Sequence, residues 1–465
     1  MSEHNNSFSE DSSNTNNLVE QKALFGIRSE MQSIRNGLRC STIEAIFATI
    51  HIVLTQGVFL TNYVLDLGAS NFICGIVESL PFLVTFSYFL SPILVRKLKY
   101  RKPVAVFFSV AHRSAWLILI MLLYLDLTPG MKQFLMILTL FGSNICAVIA
   151  GNAWYSWMTD LVPAAIRGSY YGRRNFYLGI ASLSALFIGS HVLTWFRSLG
   201  LGRSGYTICF SVAVASALFA GRILSKQYEP EPKPVSPMSL RKLFQIMKGK
   251  PQLCDYIKFA SIWQFALGIS AAFFGVHMVK VLKMSPAEMG YQTLISSAAV
   301  LISSRLWGRA RDRVGDRAVI ISSGTLIALH VWIWMFAREG FLWPVWTTSI
   351  VGGFFWAGFN LSAFNWPQKL CGTANRQYTY GLLGLFSGPC FMIGSLLGGV
   401  LTTVLPQTLF KIGSFEVLHF HLVFALSSVG RLISVIYISR KSMTYDRTGR
   451  SILQAIKDSF KQMLP

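Results

Sequence analysis

Apolar residues along this chain arrive in long unbroken runs, rather than in the alternation of a half-buried strand or the stripe of a surface helix. Twelve such runs of roughly 20 or more residues lie at 41–65, 71–95, 103–125, 131–158, 170–196, 205–224, 256–281, 287–307, 318–337, 341–366, 378–405 and 415–439. A helix needs about 20 residues to cross some 30 Å of hydrocarbon, so each run predicts a membrane-spanning helix, spans one to twelve. The pattern divides the chain into an N-terminal tail (1–40), a first six-helix unit (41–225), a linker (226–255), a second six-helix unit (256–440) and a C-terminal tail (441–465). Three segments outside the spans carry a helical apolar stripe: Leu24, Ile27, Met31, Ile34 and Leu38; Leu240, Leu243, Phe244 and Met247; and Ile452, Ile456, Phe460 and Leu464. Flanking Lys and Arg suit them to the headgroup layer or to a face of the bundle. The first twenty residues, rich in Ser, Asn and Glu, read as a disordered tail.

Composition agrees, with 52% hydrophobic and only 13% charged residues against about 25% in soluble domains. The net charge of +22 would suit a nucleic-acid binder, but its placement argues otherwise. Arg96, Lys97, Lys99, Arg101 and Lys102 follow span two; Arg167, Arg173 and Arg174 follow span four; Arg241, Lys242, Lys248 and Lys250 follow span six; Arg305 to Arg317 surround the exit of span eight. Cations gathered in alternate loops predict cytoplasmic loops, with both termini cytoplasmic in a plasma or bacterial inner membrane. They orient the chain in a lipid bilayer, and no nucleic-acid module stands outside the membrane. The seven cysteines show no metal-ligand spacing, and no metal or cofactor is expected.

The two halves repeat each other. Leu67, Ser70 and Gly75, between spans one and two, share the spacing L-x-x-S-x-x-x-x-G with Leu282, Ser285 and Gly290, between seven and eight. Trp157, Leu161, Arg167, Tyr171 and Gly172 align without gaps to Trp366, Leu370, Arg376, Tyr380 and Gly381. Order, spacing and topological position agree, which predicts a duplicated six-helix unit.

Gly308, Asp312, Arg313, Gly315 and Arg317 form G-x-x-x-D-R-x-G-x-R after span eight. Together with the twelve spans, this resembles the major facilitator superfamily of secondary transporters. The resemblance implies an all-α integral membrane protein with twelve transmembrane helices in two pseudo-symmetric six-helix bundles, working by alternating access. It also implies a conformational latch, in which Asp312 meets the start of span five. The loop after span two reads Ser91-Pro-Ile-Leu-Val95-Arg96-Lys97-Leu98-Lys99-Tyr-Arg101, which keeps the cations and loses the Gly and Asp. Glycines 384, 388, 394, 398 and 399 on span eleven, with Pro389, suit close helix approach.

In this architecture spans one, four, seven and ten line the cavity, as the resemblance implies. Their polar stripes are His51, Thr55 and Asn62; Asn144 and Asn152; Trp263, Ser270 and His277; and Trp356 and Asn360. These stripes are expected to converge on a pocket for a small organic solute, or else to serve as interhelical glue. Charges within spans are expensive. Glu78 and Arg113, at similar depth on neighbouring spans, are expected to pair, with His112 beside them as a relay; Glu44 is a second carboxylate nearer the membrane surface. Arg431 is expected to snorkel toward an interface. The expected role is secondary transport by a monomer, with protons as the coupling ion. A sensor or scaffold on a transporter fold is the alternative, and an integral membrane enzyme a weaker one. No catalytic residue is assigned: His419 and His421, two apart on a helix, point away from each other.

Overall fold

The computed structural model describes residues 7–231, 244–245, 247–371, 379–413 and 415–441. Twelve helical passes are present among them. Span one is α1 (Ser7–Thr55) and α2 (Val58–Asp66); span two is α3 (Asn71–Leu83), a 3-10 segment (Val84–Phe89) and α4 (Leu90–Leu98); span three is α5 (Lys102–Ser114) and α6 (Trp116–Leu122). Spans four to six are α7 (Pro129–Leu161), α8 (Arg167–Ser198) and α9 (Gly202–Lys226). Spans seven to ten are α10 (Pro251–Lys280), α11 (Pro286–Val314), α12 (Asp316–Trp334) and α13 (Trp343–Cys371). Span eleven is α14 (Thr379–Val404), and span twelve is α15 (His419–Ser439). A hairpin, β1 (Thr408–Ile412) and β2 (Phe415–Leu418), joins the last two spans, with Lys411 paired to Glu416 across it at 2.5 Å.

Nine helices are long and apolar enough to cross a membrane by themselves among the described residues. Span two falls short because Pro81 and the 3-10 segment break it. Spans eight and ten carry Ser and Asn that bond back to their own helix, as Ser297 does to Thr293 O and Asn365 to Leu361 O, while Trp307 Nε1 of span eight donates to Phe354 O of span ten at 2.7 Å. Span one bends at Gly57, whose φ of 54° is a left-handed conformation that a β-carbon disfavours. The N-terminal amphipathic segment is not a separate helix on the membrane surface, and the tail is not wholly disordered, since α1 runs without a break from Ser7. No proline interrupts its backbone ladder. The stripe at 452–464, with Leu240 and Leu243, lies outside the described residues.

The repeated string acquires a physical meaning here. Ser70 and Ser285 are the N-caps of spans two and eight: Ser70 Oγ accepts from Ile73 N at 3.3 Å and Ser285 Oγ from Glu288 N at 3.2 Å. Glu288 closes a capping box by accepting from Ser285 N at 2.7 Å. Gly75 and Gly290, five residues on, sit where the other bundle comes nearest: a β-carbon on Gly75 would strike the backbone of Ser395, and one on Gly290 the hydroxyl of Ser190. Trp157 and Trp366 are both buried, each in the core of its own bundle. Arg376 lies outside the described residues, as does the side chain of Tyr380.

The two bundles meet most broadly at one end, and spans two and eleven stay in contact as far as Thr85 and Gly384. Away from the termini a single apolar cluster runs through both, placing Cys74 and Val77 of span two with Ile269 and Phe273 of span seven. Toward the termini the cores separate, one around Trp157 and Leu161, the other around Tyr256 and Trp366. Closure at the far end is polar as well as apolar: His191 Nε2 and Tyr291 OH lie 2.8 Å apart, Ala287 N donates to Thr194 Oγ1 at 2.9 Å, and Asn71 Nδ2 donates to Thr402 O at 3.0 Å. At the other end the first turn of span five (Arg167 to Ser169) and Arg309 and Asp312 of span eight are exposed. The structure is thus shut on the side of the hairpin and open on the side of the basic loops.

Within the second bundle, span eleven packs on span seven through small residues. A β-carbon on Gly394 would collide with the carbonyl oxygen of Phe265, and one on Gly398 with that of Ile269, while Gly268 of span seven presses on Phe391 in return. The glycine run therefore brings two backbones together.

Candidate transport pathway

Helix rotation decides which of the charges within the spans become partners. Arg113 pairs with Glu44 and not with Glu78: Arg113 Nη2 donates to Glu44 Oε1 at 3.2 Å. Glu44 is buried rather than near the surface, because α1 begins far before the predicted span and carries it into the bundle. Arg113 faces inward toward span one, whereas Glu78 points out of the first bundle. His112 stands at 5.5 Å, edge to face, from His51, and its Nδ1 lies 3.3 Å from Ser143 Oγ. Arg174, stacked over Trp154 at 5.0 Å, is within electrostatic reach of Glu44.

Glu78 has a different setting. One turn earlier on the same helix, Cys74 and Gly75 abut the second bundle, Gly75 against Ser395 and Phe273; one turn later, Phe82 stacks on Phe391 at 3.8 Å. Glu78 shares that face and is exposed. It has no ion-pair partner among the described residues.

The four polar stripes do not converge on one pocket. His51 and Thr55 turn into the first bundle, where His51 Nδ1 lies 3.2 Å from Ala213 O and Thr55 Oγ1 donates to His51 O at 2.6 Å. Asn62 belongs to the far-end closure: its Oδ1 accepts from Arg197 Nη1 at 2.8 Å, and Arg197 in turn bonds to Asp66 and Tyr206. Ser270 and His277 turn into the second bundle, Ser270 toward Ser427 at 2.9 Å and His277 Nδ1 accepting from Trp334 Nε1 at 3.3 Å. Trp263 stacks on Phe359 at 4.3 Å. A stripe at helical spacing has a common face, but spacing does not say which neighbour that face meets. Asn144 bonds back to Leu140 O at 2.7 Å, and Asn152 bonds to Tyr88 O of span two at 3.0 Å. Trp356 is half-buried, edge-on to Trp263 at 6.2 Å, and Asn360 one turn on is exposed.

Three features escaped the sequence reading. Arg431 does not snorkel; it is buried, and its Nη2 donates to Ser270 Oγ at 2.9 Å. His419 and His421 are both buried, and His421 comes within 6.1 Å of His277, because the helix begins between them and the hairpin. No group of these residues has metal-binding geometry among the described residues. Arg101, buried at the start of span three, binds Asp160 Oδ2 at 2.6 Å and Glu229 Oε1 at 3.3 Å. Only the pairing of charged residues on loops that share one membrane face could have suggested it. Asp312, the residue expected to form a latch, bonds to Arg311 at 2.7 Å, while Gly308 and Gly315 flank it, Arg313 shares its turn and Arg317 reaches Ser439 O at 2.8 Å.

The twelve-pass, two-bundle arrangement defines a fold class, and comparison with known proteins agrees. Residues 256–465 match the family model described as MFS_1 like. The chain is similar in fold to a mutant form of the nucleoside transporter NupG, at 15% identity over 87% of this chain and 99% of that one, with a TM-score of 0.66. It is similar to a bacterial homologue of the human drug peptide transporters PepT1 and PepT2, at 12% identity over 92% and 100%, with a TM-score of 0.63. The D-xylose-proton symporter gives 14% identity over 88% and 98%, with a TM-score of 0.59. No curated protein sequence matches. The chain is a multi-pass membrane protein with the major facilitator secondary-transporter fold.

Proposed function

We propose that this protein moves a small organic solute by alternating access, coupled to protons, with its basic loops and both termini in the cytoplasm. The observation that carries the proposal is Glu78, an unpaired carboxylate on the face of span two that meets the second bundle. In this conformation it is exposed to solvent water. Closing the bundles around it removes that water, and a lone carboxylate then needs a proton or a cationic group of the solute. Asn152, Trp356 and Asn360 supply hydrogen bonds and an aromatic face around the same space. In the conformation described above, open on the side of the basic loops, solute and proton would exchange with the cytoplasm. One chain contains both bundles, so a monomer suffices.

Relatives of the same fold include transporters of nucleosides, peptides and xylose, which makes these three classes the first panel to test. Binding to the folded state raises thermal stability by mass action. A stabilising solute is then offered to proteoliposomes holding a pH-sensitive dye. The expected result is solute uptake with internal pH change, and for Glu78→Gln, exchange of labelled for unlabelled solute without net proton movement. Proton movement undiminished in Glu78→Gln would remove Glu78 from the mechanism, and a protein that binds but moves none of its ligands would be a sensor instead.

A further inference from the structure

A cleft of about 580 Å³ lies outside the transport pathway, on the basic face of the first bundle. Its walls are the extension of α1 (Ser33, Asn36), the start of span three (Tyr100, Lys102) and the exit of span six (Lys226, Gln227). Glu229 also lines it, but both its oxygens are engaged: Oε1 accepts from Arg101 N at 2.7 Å and Oε2 from Lys102 N at 3.0 Å. The acid therefore holds the wall together, and Lys102 and Lys226 line the cleft beside it. Neither has a carboxylate partner among the described residues. Gln227 is fully buried and turns into the bundle, its Nε2 donating to Met158 Sδ at 3.4 Å.

We propose that this cleft binds the phosphate of a polyol phosphate, with Lys102 and Lys226 on the phosphate and Ser33 and Asn36 on the hydroxyls. Two cations at one mouth suit a single anionic group, since each makes a charge-assisted hydrogen bond to it. The volume falls in the range of small-molecule sites and fits a glycerol phosphate or inositol phosphate unit. Two sources carry that chemistry, an anionic lipid headgroup and a free polyol phosphate. The lipid is favoured by position: Ile93 and Leu98, on the helix leading to Tyr100, are exposed apolar residues where acyl chains would run. The site lies on one bundle and does not depend on the transport reading.

The test is thermal unfolding of the full chain in neutral detergent, titrated separately with short-chain phosphatidylglycerol, short-chain phosphatidylcholine and glycerol 1-phosphate. Phosphatidylglycerol should stabilise the protein where phosphatidylcholine does not. Lys102→Gln with Lys226→Gln should weaken that binding by about tenfold or more. Lys99→Gln, exposed on the adjoining loop, should leave it within about twofold. Stabilisation by glycerol 1-phosphate at similar concentration would support the site and assign it to a soluble ligand. No stabilisation by either phosphate compound, or equal stabilisation of the double variant, overturns the proposal. The unliganded midpoint of each variant reports folding, and Gln at position 102 keeps the backbone bond to Glu229.

Discussion

The pairing of Arg113 with Glu44 rather than Glu78 can be decided by double-mutant cycles. The two side chains are only 9% and 6% exposed and lie 3.2 Å apart. At an effective dielectric of about 20, two unit charges at that separation attract by about 5 kcal/mol. Breaking a buried pair from one side typically costs about 3–5 kcal/mol, because the survivor is left uncompensated. The two sides should differ. Glu44→Gln leaves Arg113 without an acid, and its Nε and Nη1 already lack acceptors. Arg113→Met leaves Glu44 within reach of Arg174, so its cost should fall at the lower end of the range.

The double variant Glu44→Gln, Arg113→Met should then cost less than the sum of the singles by about 2–3 kcal/mol, the coupling expected of residues in contact. Glu78→Gln with Arg113→Met should be additive within about 0.5 kcal/mol. The measurement is reversible unfolding in detergent micelles at neutral pH, which compares midpoints at constant slope. Coupling below about 0.5 kcal/mol for Glu44, or coupling that appears with Glu78 instead, would refute the reasoning from helix rotation.

Other expectations follow from the packing and the loops. Gly394→Ala should destabilise by about 1–3 kcal/mol, the usual range for overpacking, because its methyl meets the Phe265 carbonyl oxygen; thermal unfolding measures this, and a neutral result would mean that spans seven and eleven are further apart than described. Asp316→Lys or Lys369→Asp alone should destabilise, whereas both together should recover most of the loss, since Asp316 is buried against Lys369 and the bond is kept when its sense is reversed. Asp312→Asn should shift the balance of inward-facing and outward-facing states, read as the alkylation rate of a cysteine placed by Asn360→Cys; an unchanged rate would leave the motif a topology signal. Glu78→Gln should leave stability within about 0.5 kcal/mol, because no ion pair is lost.

What was legible in the sequence was axial. The runs of apolar residues marked the twelve passes, and the repeated string placed Ser70 and Ser285 between the first two helices of each half. Rotation about each helix was not legible, since a single stripe of polar residues looks the same whether it faces its own bundle or the cavity. His51, Ser270 and His277 were misplaced for that reason, and Glu78 was given the wrong partner. Local breaks were missed where they depend on packing, as at the 3-10 segment of span two. The Arg101 network needed contacts between segments 55 or more residues apart, which no local pattern encodes.

That network also shows what the duplication preserved. Asp316 lies 215 residues after Arg101, the offset that relates Leu282 to Leu67, and Lys369 lies 209 residues after Asp160, the offset that relates Trp366 to Trp157. Arg101 bonds to Asp160 in the first half, and Asp316 bonds to Lys369 in the second. The positions are equivalent and the charges are exchanged. A third arm comes from the end of the last helix in each unit, Glu229 onto Arg101 after span six and the carbonyl of Ser439 onto Arg317 after span twelve. What each half retains is therefore a bond among the start of its third helix, the end of its fourth and the end of its sixth, without regard to which partner is the cation. These bonds sit at the open end, where the bundles do not support each other. There each bundle has to keep its own helices together while it moves against the other, and a buried ion pair does that with either polarity.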